Sequence, residues 1–216
     1  MIELNEWASL AGKWLFDMDW LYLVGTAAFS LSGYLLGVKK KFDLLGIVIV
    51  SLLTAIGGGI IRDVMLNRIP VIFHHAEPLY IIFTTLALAW LLRMHKGYGA
   101  AAYRIFIVAD SIGLVAFSLA GAEVGMQYEL NLFGVLLVGF VSAVGGGIVR
   151  DMMVNDVPFI LHKDFYGTVS ILAAASLYIA HMAFHLNGPT LVWGLFAVCL
   201  AARLIGHRQD FRLPKV

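Results

Sequence analysis

The sequence predicts an all-α polytopic membrane protein, with seven transmembrane helices arranged as two inverted three-helix repeats plus a seventh helix. Three observations predict it. The 216-residue chain is 61% hydrophobic and only 13% charged, with a mean hydropathy of +0.87, whereas soluble domains hold roughly 45–50% apolar and about 25% charged residues. Its apolar runs approach the roughly 20 residues that a helix needs to cross a bilayer. The stretch Gly57-Gly58-Gly59-Ile60-Ile61-Arg62-Asp63, leading to Asn67 and Pro70, recurs as Gly145-Gly146-Gly147-Ile148-Val149-Arg150-Asp151, leading to Asn155 and Pro158.

Residues 1–19 carry Glu3, Glu6, Asp17 and Asp19 against Lys13. A signal peptide would begin basic and continue apolar, so this segment is not one. Leu4, Trp7, Ala11, Trp14 and Met18 recur at helical spacing, which predicts a short helix lying on the membrane surface. Spans then follow from near Trp20 to Val38, Leu44 to Leu66, Ala76 to Leu92, Ile105 to Val124, Leu132 to Val154, Phe165 to Phe184 and Thr190 to Leu204. The domain organisation is an interfacial segment (1–19), a first repeat (20–96), a second repeat (104–185), the seventh helix (189–205) and a basic tail (206–216).

Basic residues in short loops orient the chain. With the N-terminus outside, the inner loops carry Lys39, Lys40, Lys41, Arg93, Lys96, Arg104 and Lys163, and the inner tail Arg203, Arg208, Arg212 and Lys215. Only Lys13 and Arg68 fall outside. The expected location is a bacterial or archaeal inner (plasma) membrane, with the C-terminus cytoplasmic.

The duplication extends beyond the motif. At the same offset of 88 residues, Phe29-Ser30-Leu31-Ser32-Gly33 is echoed by Phe117-Ser118-Leu119-Ala120-Gly121, and Gly25, Gly37, Gly46 and His74 by Gly113, Gly125, Gly134 and His162. Internal repeats outrank local patterns in reading a fold. Three spans per repeat is an odd number, so the copies cross in opposite senses, related by a pseudo-two-fold axis in the membrane plane. Arg62 and Asp63 then belong to the outer half, Arg150 and Asp151 to the inner.

Three successive glycines weaken a helix, and an intramembrane Arg-Asp pair is costly unless it faces a cavity or a partner. A broken, duplicated helix near such an axis marks a permeation or binding site. A break would free carbonyls before each triplet, near Leu53, Thr54, Val141 and Ser142, to replace water around a transient monovalent cation. The Thr54 and Ser142 hydroxyls would join them, with Ser30 and Ser118 from neighbouring helices. Arg62 and Arg150 would limit multivalent ions or act as gates. Being adjacent, Arg62 and Asp63 point about 100° apart on a regular helix, so pairing with other helices is expected rather than with each other. A structural salt-bridge network and close glycine packing remain the alternatives.

Other features are read more plainly. Pro70 and Pro158 end their helices. Cys199 is a small buried hydrophobe. His181 and His185 are interfacial rather than a metal pair, since no carboxylate stands nearby. Asp110 and Glu123 break the symmetry, Tyr22 standing where Asp110 would have its copy, and favour cations. The lysine run Lys39-Lys40-Lys41 allows contact with anionic lipid. A net charge of +1 argues against nucleic acid as a partner. The nucleotide loop G-x-x-x-x-G-K-[ST], H-E-x-x-H and G-x-G-x-x-G are all missing, so neither an enzyme nor a cofactor is expected, and no resident metal.

Two copies of G-G-G-x-x-R-D followed by N-x-x-P, each in the second helix of a three-helix repeat, resemble the trimeric intracellular cation (TRIC) channels, in particular their prokaryotic members. The likeness covers about residues 20–205. It implies a homotrimer in the lipid bilayer, with a pore in each subunit lined by glycine-kinked second and fifth helices and conducting potassium and sodium. Gly57, Gly58, Gly59, Arg62 and Asp63 carry it in repeat one, and Gly145, Gly146, Gly147, Arg150 and Asp151 in repeat two. Animal members have a Lys-Glu pair ahead of the second triplet. Here Tyr128 precedes Glu129, so phosphoinositide or calcium regulation does not carry over. Bacterial proteins with this repeat are also described as glycine transporters, which leaves a secondary carrier of glycine or a similar zwitterion as the alternative, with a half-helix N-terminus after each triplet for its carboxylate.

Overall fold

The chain, a computed structural model, is described over residues 4–161, 165–186 and 188–209, and its side chains from Trp20 onward within these ranges except at 165. Residues 4–19 run without a break into the first span, in one helix from Leu4 to Lys39, rather than forming the separate short helix expected; the side chains of residues 1–19, with residues 162 and 163 and most of the basic tail, lie outside the description. Among the described residues seven α-helices follow one another: α1 (Leu4–Lys39), α2 (Leu44–Met65), α3 (Glu77–Leu91), α4 (Ala100–Gln127), α5 (Leu132–Met153), α6 (Phe165–Phe184) and α7 (Pro189–Arg208). No strand occurs among the described residues. The start of α4 precedes its expected span by one turn, because Ala100, Ala101 and Ala102 are strong helix formers that extend it past the apolar window.

Among the described residues six helices, α1 from Trp20 onward among them, are long and apolar enough to cross a membrane, while α3 has 15 residues and rises only about 22 Å. Loop contacts nonetheless require α3 to traverse the bundle. Lys40, after α1, pairs with Asp156, after α5, at 2.6 Å. Lys39 lies 5.7 Å from the Tyr98 ring, before α4. At the opposite end Arg68, after α2, lies 5.9 Å from the Tyr128 ring, after α4. These pairings put successive connections on alternating faces, so each of α2 to α5 crosses once. Two of the three lysines read as a lipid contact are thus engaged within the chain.

The repeat is visible in local detail. Asp43 caps α2 by accepting from the Gly46 amide at 2.7 Å, and Asn131 caps α5 through Gly134 at 2.9 Å, as N-cap residues do. Lys41 and Glu129 both turn the chain with φ of +59° and +53°. Phe29 stacks on Phe117, its own copy, with ring centroids 5.3 Å apart. Each ring covers the other repeat's glycine: a Cβ at Gly113 would meet Phe29 at 2.2 Å, and one at Gly25 would meet Phe117 at 3.2 Å. Reciprocal contact between copies is what a two-fold relation produces. The axis therefore runs between α1 and α4, and α7 packs outside it against α4 and α6.

Candidate functional site

The glycine triplets do not break their helices: α2 and α5 are each continuous through them. This corrects the expected break, and with it the freed carbonyls of residues 53–56 and 141–144. What the glycines provide is approach. A Cβ at Gly58 would sit 2.1 Å from the Ser142 carbonyl oxygen, and one at Gly146 the same distance from the Thr54 oxygen. Gly57 and Gly145 face the partner helix as well, at 3.4 Å from Gly146 and 3.1 Å from Gly58. The backbones of α2 and α5 thus cross at small-residue contact distance, again reciprocally. The cost of glycine to helix stability is offset by this packing and by the closed backbone hydrogen bonds that hydrocarbon demands.

The third glycine of each triplet behaves differently. A Cβ at Gly59 would approach only Arg62 Nη2 and the Tyr22 hydroxyl, both at 3.8 Å, and one at Gly147 the Tyr166 hydroxyl at 3.3 Å and Arg150 Nη2 at 3.7 Å. These positions open toward the arginines rather than toward the crossing helix. Val144, Gly147, Ile148, Asp151, Phe159, Ile160 and Tyr166 line a narrow cleft there, too tight to hold a water molecule.

Arginine and aspartate of each motif pair directly, contrary to the expectation from helix geometry. Arg62 Nε donates to Asp63 Oδ1 at 2.7 Å, and Arg150 Nε to Asp151 Oδ1 at 2.8 Å. The long arginine stem bends back across the 100° that separates the Cβ directions. The second carboxylate oxygen clasps the following loop: Asp63 Oδ2 accepts from the Val71 amide at 3.0 Å, and Asp151 Oδ2 from the Phe159 amide at 2.7 Å. Asn67 and Asn155 allow this reversal with φ of +52° and +56°. The Arg68 and Asp156 amides donate back to the Asp63 and Asp151 carbonyls, the arrangement that ends a helix on a left-handed residue. Pro70 and Pro158 therefore do not end the helices. They stand at the head of the short 3-10 turns Val71–Phe73 and Phe159–Leu161.

The two clusters lie at opposite ends of the crossing and differ in charge. In the first, Asp63 also receives Arg68, whose Nη2 stands 2.6 Å from Oδ1, so two cations meet one anion. In the second, Arg150 Nη1 reaches Asp110 Oδ1 at 2.5 Å and also bonds the Ser32 hydroxyl, so two carboxylates meet one arginine. Arg62, Asp63, Asp110, Arg150 and Asp151 are all at most 5% exposed within a single chain, far from the default solvated state of such groups.

The remaining predicted residues fall in other places. The Thr54 and Ser142 hydroxyls donate to their own helices, at Val50 and Val138, and pack against Gly33 and Gly121. Ser118 donates to the Ser170 carbonyl at 2.6 Å, toward α6. Ser30 is buried, and its hydroxyl has no partner among the described residues. Arg203, counted as a tail charge, is buried on α7. Ser32, Arg68, Tyr166 and Arg203 join the clusters without having been singled out. For two of them the signal lay where the echo fails, since Ser32 corresponds to Ala120 and Arg68 to Asp156.

A family model described as "Glycine transporter" matches residues 19–96 and 107–182, one block for each repeat. A UPF0126 membrane protein of Deinococcus radiodurans is 36% identical over 200 residues, covering 91% of both chains. The UPF0126 inner membrane protein YadS of Escherichia coli is 30% identical over 195 residues, covering 90% of this chain and 94% of its own. Among solved structures, a TRIC cation channel studied for conductance is 31% identical with a TM-score of 0.78, over 92% of this chain and 96% of that one. The trimeric intracellular cation channel orthologue from Rhodobacter sphaeroides is 26% identical with a TM-score of 0.81, over 90% and 98%. With relatives at 30% identity or more along nine-tenths of its length and both repeats matched, the chain is an integral membrane protein that belongs to the UPF0126 family, the prokaryotic branch of the TRIC fold.

Proposed function

We propose that the protein is a channel for monovalent cations, potassium and sodium, with one path in each subunit running beside the α2–α5 crossing. The observation that carries this reading is the pair of buried charge clusters at the two ends of that crossing, inside one chain rather than between chains. Arg62, Asp63, Gly59, Arg150, Asp151 and Gly147 line the path, while Gly57, Gly58, Gly145, Gly146, Thr54 and Ser142 hold the two helices at the spacing that leaves it. Ions pass as transient ligands of carboxylate, hydroxyl and water oxygens, a role for which hard oxygen donors suffice. The assembly is a homotrimer in the inner membrane, N-terminus out and C-terminus in, with lipid filling the spaces between subunits.

The test is bilayer recording of the purified protein in symmetric potassium, followed by a salt gradient. Unitary currents that ignore glycine, and are lost in Arg62→Ala or Arg150→Ala protein that still assembles, are the expected result. Saturable glycine uptake with no unitary steps would overturn the reading. That carrier reading is favoured by the description of the family model, but the unbroken helices offer no half-helix N-terminus for a carboxylate. A glycine carboxylate would depend on Arg62 or Arg150 alone.

A further inference from the structure

Arg203 belongs to α7, the helix outside the repeat, and is 1% exposed. Its guanidinium lies 4.9 Å from the Tyr166 ring centroid and 6.0 Å from that of Phe159, two residues that line the cleft beside Gly147 and Asp151. Among the described residues, Arg203 Nε and Nη2 have no hydrogen-bond partner. A guanidinium buried in this state is expensive unless it answers charge close by. Such charge is close by: the two rings that hold Arg203 line the same cleft as Asp151, and the Tyr103 and His207 rings, 6.5 Å apart, seat α7 against α4, the helix that carries Asp110.

Asp110 has complementary capacity left over. Its Oδ1 is taken by Arg150, but Oδ2 is buried with no partner among the described residues. Without Arg203, the cluster of Arg150, Asp110 and Asp151 carries one net negative charge; with it, none. The first-repeat cluster has no such addition, because α7 has no copy, and it reaches its positive balance through Arg68 instead. The aromatic rings hold Arg203 by its face, and among the described residues its Nε and Nη2 donors and the Asp110 Oδ2 acceptor stay open.

We propose that Arg203 is a tethered counter-charge that competes with a permeant monovalent cation for the open oxygen of Asp110, and so governs passage through the second-repeat end of the path. The inference rests on the channel reading and adds a specificity-determining residue to it. A cation arriving at the cluster meets an acceptor whose local balance Arg203 has set to neutral. Removing that charge leaves the acceptor in a negative setting and draws cations in.

The experiment is bilayer recording of Arg203→Gln, Arg203→Lys, Asp110→Asn and the double variant Arg203→Gln/Asp110→Asn, each first shown to assemble like the unsubstituted protein. Arg203→Gln is expected to raise cation conductance about two- to fivefold in 0.1 M potassium chloride and to change rectification, with the difference shrinking at 1 M, where the screening length falls from about 10 to about 3 Å. Arg203→Lys, which keeps the charge, stays near the unsubstituted protein. Asp110→Asn shifts conductance down, and the double variant returns toward the starting value. Equal behaviour of Arg203→Gln and Arg203→Lys, or no change in Arg203→Gln at either salt, overturns the proposal. If Arg203→Gln does not assemble, unchanged low-salt conductance in Asp110→Asn overturns it. A protein without unitary currents before any substitution removes the channel reading and this proposal together, an outcome distinct from the others.

Discussion

Asp63 and Asp151 carry more of the architecture than their position in a charge motif suggests. Each holds its neighbouring arginine with one oxygen and the returning loop with the other, so a single side chain ties the end of a helix to the 3-10 turn that follows. Asp63 also answers Arg68. Asp63→Ala would leave two guanidinium groups and the Val71 amide without their acceptor, and breaking a buried pair from one side costs about 3–5 kcal/mol. A lower unfolding temperature in detergent, measured for Asp63→Ala and only partly recovered in Asp63→Asn, is the expected result; an unchanged temperature would show that the clasp contributes little. Direct pairing of residues adjacent in sequence was not legible beforehand, because helix geometry fixes the Cβ directions but not where a three-carbon stem bends.

At the scale of the element, the glycine triplet divides into two parts with different duties. Gly58 and Gly146 have no room for a methyl group, at 2.1 Å from the opposing carbonyl oxygen, whereas the space around Gly59 is open to 3.8 Å. Gly58→Ala and Gly146→Ala must push α2 and α5 apart, and overpacking of this kind costs about 1–3 kcal/mol or more. They are expected to reduce the yield of assembled protein, while Gly59→Ala folds normally and changes conduction, its methyl group standing beside Arg62. Comparable yields for the Gly58 and Gly59 variants, read from size-exclusion profiles, would contradict this division. A triplet in the sequence signals a weak helix, since propensity is a single-chain property. Whether the helix opens or is packed shut depends on what lies across from it, and here it is another helix bearing the same triplet.

For the whole molecule, inversion makes equivalent residues point to opposite faces. Lys41 and Glu129 occupy matching left-handed turns after α1 and α4, and the loop pairings Lys40–Asp156 and Arg68–Tyr128 place those turns at opposite ends of the bundle. In a Cys199→Ser background, a cysteine at position 129 should react with a membrane-impermeant thiol reagent applied outside intact cells, and a cysteine at position 41 only after the membrane is opened. Labelling of both from one side would contradict the inverted arrangement. The same logic explains why α3, with 15 residues, still counts as a crossing: the loops it joins are pinned to opposite faces by contacts elsewhere.

By itself the sequence determined the membrane setting, the seven helices, the repeat and its inversion, because hydrophobic length, an 88-residue offset and an odd number of spans are properties of the chain. It also marked Arg62, Asp63, Arg150 and Asp151, since charges in an apolar run need no structure to be conspicuous. Only the tertiary structure decided that the triplets are a crossing point rather than a break, that each aspartate clasps its own loop, and that Arg203 of the unrepeated helix joins the second cluster. Those outcomes depend on which surfaces meet across the bundle. Contact between residues distant in sequence is set by packing, and no local pattern of propensity or charge encodes it.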